Sequence, residues 1–199
     1  MHQSAKEFLM IPDRDTEMIF SDAERCLGCH GCELACAASH GEGDLFEAAA
    51  SGKKHHSRIR VVRAGAYTVP VQCRQCDNAP CAIVCPTSAI RREGGRVVIH
   101  EKNCVGCKLC MGVCPFGAIA VTAGGAADEA GRGGRGVARK CDLCAGQREG
   151  GEAPPACVAA CPTGAMQLVK VEAYRAALQE ARAEELARAH GYLKFRKVK

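Results

Sequence analysis

Residues 104 to 115 read Cys104-Val105-Gly106-Cys107-Lys108-Leu109-Cys110-Met111-Gly112-Val113-Cys114-Pro115, four cysteines spaced C-x2-C-x2-C-x3-C with a proline directly behind them. Thiols as close in sequence as Cys104, Cys107 and Cys110 must wrap one metal group corner by corner, so these three belong to a loop. The fourth is set apart. In this order three thiolates hold one [4Fe-4S] cluster and the fourth ligates a neighbouring cluster, so this single run implies a second cluster. The spacing predicts that Cys114 opens a helix, with Pro115 at the first position, where the missing N–H is not felt. A structural zinc site is the plainer alternative. It would gather two separated pairs of thiolates around one tetrahedral ion and has no need of this order.

The same pattern recurs on both sides of that run. Cys26, Cys29, Cys32 and Cys36 repeat the spacing, but Ala37 stands where the proline was, so a helix beginning near Glu33 is free to continue through Ala38 and Ser39. Cys73, Cys76, Cys81 and Cys85 are spaced C-x2-C-x4-C-x3-C-P, with Pro80 in the enlarged loop. Cys141, Cys144, Cys157 and Cys161 follow as C-x2-C-x12-C-x3-C-P, the long interval reading as a surface loop. CPTSAI (85–90), CPFGAI (114–119) and CPTGAM (161–166) are one unit repeated: ligand, helical turn, small residue, apolar strand. All 16 cysteines fall into these groups of four, the ligand requirement of four cubanes with none left over.

Composition agrees with a metal-built interior. The chain has 199 residues, 4% aromatics and no tryptophan, so its apolar core is thin and bound metal is expected to supply part of the stability. No secretory or twin-arginine sequence opens it, and no apolar run reaches about 18 residues, so neither export nor a membrane span is expected. The expected setting is the reducing cytoplasm, where metal binding explains the cysteines better than disulfides do. The formal charge of +5 counts every thiol as neutral. With about −2 for each of four oxidised clusters and its thiolates, the sum becomes roughly −3. The basic residues therefore offset buried anions. In RIRVVR (58–63) and KFRKVK (194–199) aromatic interleaving is nearly absent, which argues against nucleic acid.

Along the chain, residues 1–19 form an N-terminal arm that enters a strand at about Glu17 to Phe20. Residues 40–57 read as a loop. Arg58 to Arg63 and Tyr67 to Val71 bracket Gly65 as a hairpin, and Gly94-Gly95 between two alternating runs is a second hairpin signal. Residues 123–136 are a Gly-rich loop without the Gly-Lys-Ser/Thr that would close a phosphate cradle. Val171 to His190 is an Ala, Glu and Arg-rich helix with Tyr174, Leu178 and Ala181 on one stripe. It is expected to pack on its own domain, ahead of a basic tail ending at residue 199. The seven histidines form no metal pattern. His30 is expected to be solvated beside its cluster loop, and His55 and His56 to lie in an exposed basic loop. Gly28, Gly31, Gly106 and Ala82 either free backbone amides to face sulfur or simply make room.

Groups two and three lie close together, as in a two-cluster ferredoxin, and should exchange fourth cysteines. That puts Cys73, Cys76, Cys81 and Cys114 on one cluster and Cys104, Cys107, Cys110 and Cys85 on the next. Groups one and four then have only each other, giving Cys26, Cys29, Cys32 with Cys161, and Cys141, Cys144, Cys157 with Cys36. The expected fold class is α+β: two ferredoxin-like modules, one inserted in the other, with short hairpins, loops and a C-terminal helix. The outer module takes 20–66 and 137–170, the inserted one 67–122, and 171–199 form the helix and tail.

The group order and the phrases QCRQCDNAPCAIVCP (72–86), RKCDLCAG (139–146) and ACVAACPTGA (156–165) resemble the four-cluster iron–sulfur subunits of molybdenum and tungsten oxidoreductases of the dimethyl sulfoxide reductase type. The same family includes electron-transfer proteins of formate dehydrogenase, formate hydrogenlyase and carbon monoxide dehydrogenase, and the resemblance covers about residues 17 to 170. It implies the same ligand sharing between groups one and four. It also implies single-electron transfer between a catalytic subunit (a molybdenum or tungsten enzyme such as formate dehydrogenase or aldehyde oxidoreductase, a carbon monoxide dehydrogenase or a hydrogenase) and a second partner such as a flavin subunit or a ferredoxin. Unlike the larger membrane-associated members, this chain has no C-terminal hydrophobic helix, which favours a soluble complex. A self-assembling or free-standing polyferredoxin is the rival reading. Catalysis by the chain itself is not expected, since no dinucleotide fingerprint, Walker loop or nucleophile elbow is present.

Overall fold

The computed structural model describes residues 16–41, 44–52, 56–122, 136–148 and 153–190. The expected N-terminal arm before residue 16, His55, the Gly-rich segment up to residue 135 and the basic tail lie outside these. The fold is α+β, built from short elements. Strand β1 (Glu17–Ser21) pairs antiparallel with β8 (Met166–Lys170), Ile19 opposite Leu168, so the two ends of the cysteine-bearing region are tied by backbone. The β2 (Arg60–Ala64) and β3 (Tyr67–Val71) hairpin and the β4 (Ile90–Glu93) and β5 (Arg96–Ile99) hairpin form where the glycines signalled them. Gly94 and Gly95 have φ of +54° and +73°, the left-handed pair that a two-residue turn of matching twist requires. Strand β6 (Ala120–Thr122) pairs with β7 (Val137–Arg139).

The helices correct one expectation. In the three groups followed by proline the helix carries the third cysteine and stops before the fourth, so the fourth cysteine follows the helix end where the spacing predicts that it opens one, whereas in the first group the fourth cysteine lies within the helix. Helix α1 (Gly31–His40) carries Cys32 and Cys36, α3 (Pro80–Ile83) carries Cys81, α4 (Leu109–Val113) carries Cys110, and α5 (Ala156–Ala159) carries Cys157. Pro86, Pro115 and Pro162 follow the ends of α3, α4 and α5, because a residue with no N–H stops the ladder as readily as it starts one. The helix-starting proline is Pro80, in the first turn of α3. Without a following proline, α1 runs on for 10 residues, as Ala37 implied. A second difference lies in residues 40–57, where α2 (Leu45–Ala50) forms behind Asp44, whose carboxylate accepts from the Phe46 N–H at 2.6 Å.

Two small cores hold these elements. The first combines Ile19, Ile59, Leu143 and Met166 with Cys32, Cys36, Cys73, Cys141 and Cys157. The second combines Ala79, Ile90, Val97, Ile119 and Ala138 with Cys81 and Cys110. Cysteines thus occupy the places that aromatic residues fill elsewhere. Gln72, fully buried, donates to the Ile19 carbonyl at 2.8 Å and fastens β1 across the first core.

Helix α6 (Val171–His190) has the predicted limits, but its packing differs from expectation. Only its first turn docks. Tyr174 meets Phe20 with ring centroids 5.7 Å apart, and Arg175 pairs with Asp77. Leu178 and Leu186 are exposed, because the Ala, Glu and Arg composition leaves no wide apolar stripe to bury. No helix of the described residues is long and apolar enough to cross a membrane. Truncating a wholly buried strand residue tests the first core: Ile19→Ala should lower stability by about 2–5 kcal/mol, read as a lower urea midpoint under anaerobic conditions.

Candidate metal centre

The sixteen thiols gather in four sets. Cys26, Cys29, Cys32 and Cys161 line one pocket with Pro70 and Met166. Cys85, Cys104, Cys107 and Cys110 line another with Ile90 and Ala138. Cys76 and Cys81 both stand within electrostatic reach of Cys73 and Cys114. Cys157 is in reach of Cys36 and Cys144, and Cys141 in reach of Cys157.

Helix geometry produces them. Residues four apart on a helix stand one above the other, so each C-x3-C segment offers one sulfur to one set and the next sulfur to its neighbour. Packed helices α1 and α5 thereby connect two sets, while α3 and α4 connect the other two. Electrostatic reach between sets indicates their order. Cys157 also reaches Cys32, and Cys141 reaches Cys73, so the set of Cys36, Cys141, Cys144 and Cys157 lies between the Cys26 set and the Cys73 set. The row reads Cys26 set, Cys141 set, Cys73 set, Cys104 set. Each end set has an exposed cysteine, Cys29 and Cys107, whereas all four thiols of the Cys141 set are buried.

The loops aim backbone amides at sulfur. The second residue of each leading C-x2-C has positive φ: Gly28 (+68°), Gln75 (+51°), Gly106 (+67°) and Leu143 (+61°). Glycine is the unstrained choice there, yet glutamine and leucine are held in the same shape, so the conformation belongs to the motif. Room matters too, since a methyl at Gly106 would overlap the Gly136 carbonyl. The Arg58 N–H lies 3.3 Å from Cys36 Sγ, the Gln75 N–H 3.4 Å from Cys73 Sγ, the Ala118 N–H 3.4 Å from Cys114 Sγ and the Ala138 N–H 3.5 Å from Cys104 Sγ. The CPTSAI and CPTGAM repeats build matching cradles, with Thr87 and Thr163 hydroxyls 3.7 Å from Cys85 and Cys161 Sγ. Burial raises these two thiols, but the amides of Ile90 and Met166 and the hydroxyls outweigh it and bring both below the ordinary thiol value. Two deeper thiols go the other way. Burial pushes Cys81 up to about 11 and Cys157 up to about 12, with neighbouring thiols adding to the rise.

Sequence reading missed a polar network beside the Cys141 set. The His40 imidazole is 2.9 Å from the Cys36 carbonyl and 3.7 Å from its sulfur, and its other nitrogen is 2.9 Å from Asp142. Asp142 also pairs with the Arg58 guanidinium at 2.6 Å and accepts from the Cys144 N–H at 3.0 Å. Burial disfavours a charged imidazole, yet Asp142 and Cys36 prevail and hold His40 up to about 10. The i, i+4 spacing of Cys36 and His40 was the available signal; nothing local tied either to Asp142. His30, by contrast, is exposed, and its ring lies 2.9 Å from the Glu33 carboxylate.

All-thiol sets with amides turned toward sulfur suit an iron–sulfur cubane, whose bridging sulfides and thiolates need such donors and offer little to harder ions. Comparison with known proteins agrees. The family described as a 4Fe-4S dicluster domain matches residues 64–171. An iron–sulfur protein of Rhodospirillum rubrum is 47% identical over 187 residues, covering 93% of this chain and 98% of that protein. The electron transport protein HydN of Escherichia coli K12 is 40% identical over 153 residues, covering 74% of this chain and 85% of its own. Formate hydrogenlyase subunit 2 of the same strain is 35% identical over 175 residues, covering 76% and 80%. With its thiol sets, its amide cradles and these relatives in agreement, the chain belongs to the 4Fe-4S dicluster domain family of iron–sulfur electron-transport proteins.

Proposed function

We propose that the chain is a four-cluster electron relay, holding [4Fe-4S] groups on Cys26, Cys29, Cys32 and Cys161; on Cys36, Cys141, Cys144 and Cys157; on Cys73, Cys76, Cys81 and Cys114; and on Cys85, Cys104, Cys107 and Cys110. The observation that carries this reading is the row of four thiol sets, with an exposed cysteine in each end set and none in the two inner sets, whose thiols are buried or half-buried. Each bound cubane supplies one-electron storage at its set. The protein's own part is to fix the sets in sequence, keep water from the middle of the row and place donors on sulfur, which tune potential.

Both ends are shaped for partners. Leu27, 71% exposed, lies in the loop that leads to the exposed Cys29, and the exposed Val105 and Leu109 lie two residues either side of Cys107, so each accessible cysteine has exposed apolar residues near it in sequence. One end fits a catalytic oxidoreductase subunit and the other a second redox protein. The name of the formate hydrogenlyase relative supports a formate- or hydrogen-converting enzyme as the first, and the resemblance to molybdenum and tungsten oxidoreductase and carbon monoxide dehydrogenase subunits keeps those enzymes in the reading. A flavin subunit or ferredoxin suits the second. The division into an outer unit and an inserted one is part of this reading, and the packing of α1 on α5 and of α3 on α4 supports it. The β2–β3 and β6–β7 pairs cross between the two units and join them. Self-association is the second reading, favoured by the exposed length of α6 beyond its docked first turn. A cytoplasmic site of action follows from the need to keep sixteen thiols reduced.

Anaerobic purification through a tag on this chain should give about sixteen irons and sixteen sulfides per chain, with a large oxidoreductase subunit retained. Zinc in their place would refute the reading. Replacing end and middle ligands separates the roles of the sets. Cys107→Ser should remove about four irons, leave the other sets loaded and stop transfer to one partner only. Cys144→Ser in the buried set should lose iron and also lower the melting temperature. Full iron content and unchanged transfer in either variant would contradict the ligand assignment.

A further inference from the structure

Between the two inner thiol sets lies a buried polar knot that cluster ligation does not use. Lys140 is 2% exposed and directly precedes Cys141. Its ammonium donates to the Val97 carbonyl and, at 3.0 Å, to the Cys141 carbonyl. Gln75, 1% exposed, sits between Cys73 and Cys76 and completes the knot. Its amide nitrogen donates to the Cys141 carbonyl at 2.9 Å and its oxygen accepts from the Val97 N–H at 2.9 Å. Strand β5, the second cysteine group and the fourth therefore meet at one point, with Cys81 of one inner set and Cys141 of the other both in the field of the ammonium.

A buried ammonium that meets only carbonyls is poorly compensated. Among the described residues Lys140 forms no ion pair with a carboxylate. The other cation beside the Cys141 set is different, since Arg58 is matched by Asp142 at 2.6 Å. Among the described residues the thiols of Cys81 and Cys141 feel this ammonium, and the groups their sets hold, each about −2 when oxidised, supply the countercharge it lacks. Burial in a low dielectric opposes adding a further electron to such anions. A fixed positive charge between them has the reverse effect.

We propose that Lys140 is the shared counter-cation of the two inner thiol sets, raising the reduction potential of the groups held by Cys36, Cys141, Cys144 and Cys157 and by Cys73, Cys76, Cys81 and Cys114, so that the buried middle of the row stays level with its exposed ends. This rests on the four-cluster reading above, and the experiment keeps the two apart. Lys140→Gln, which keeps a donor but no charge, and Lys140→Arg are purified anaerobically as loaded full-length chain. Iron and sulfide analysis counts the clusters, and redox titration followed by electron paramagnetic resonance reads their midpoints. Cys29→Ser and Cys107→Ser, which remove the end clusters, identify the inner pair.

In Lys140→Gln the iron content should hold while the inner pair becomes about tenfold harder to reduce, a fall of about 59 mV for a one-electron couple. Lys140→Arg should keep both midpoints near those of the unaltered chain. Full iron with no midpoint moved in Lys140→Gln, or an equal shift of all four, would make the residue structural only and overturn the proposal. Should Lys140→Gln fail to load, titration of the unaltered chain decides. An inner pair level with or above the end pair supports the proposal, and one more than tenfold harder to reduce overturns it. Iron well short of four clusters in the unaltered chain overturns the row and the proposal together.

Discussion

Two sulfurs one helical turn apart decide this architecture. In Cys32 and Cys36, Cys81 and Cys85, Cys110 and Cys114, and Cys157 and Cys161, a C-x3-C interval on or at the end of a helix faces two neighbouring sets at once. A helix that serves two sets cannot be displaced without disturbing both. Pairing α1 with α5 and α3 with α4 brings the fourth cysteine of one group beside the thiols of another, and in the proposed ligand assignment each set is closed from the other helix. The β1–β8 pairing follows from the same constraint, because the first and fourth groups must be brought together from opposite ends of the described chain.

The rest of the interior is adapted to that frame. With no tryptophan and few other aromatics, the chain assembles its two cores from small aliphatic residues and from the cysteines themselves. A pocket lined by thiols loses much of its cohesion without a bound group, so metal loading and folding should be coupled. Positive-φ loops and amide donors serve stability and potential together, since the conformation that satisfies sulfur also fixes where the sulfur stands. The polar residues near the middle, His40, Arg58, Gln75, Lys140 and Asp142, are drawn from four separate stretches and bond mainly to each other and to backbone. Their positions depend on the sets being assembled.

Much of this was legible in the sequence because its signals are local. Spacing alone separated the cysteines into groups, Gly94-Gly95 placed a hairpin, Ala37 in place of a proline lengthened α1, and composition set the limits of α6. The errors have physical causes. A proline beside a helix marks an end without saying which end, so the spacing points to Pro115 as a beginning although it follows a termination. Helix α2 was hidden because six residues of modest propensity rely on one capping carboxylate, Asp44. The lone docking of α6 depends on Tyr174 finding Phe20 and Arg175 finding Asp77, contacts between distant residues that no periodicity announces. Lys140 carried no signal at all, since a lysine beside a cysteine is ordinary until the fold buries it.

The central claim is that no cysteine group completes its own cluster. Crystallography of the anaerobically prepared, loaded chain, with anomalous scattering collected at the iron edge, tests it directly. The account predicts four iron sites in one row, with the first joined to Cys161, the second to Cys36, the third to Cys114 and the fourth to Cys85. A cluster whose four ligands all come from one consecutive group, such as Cys104, Cys107, Cys110 and Cys114, would contradict it.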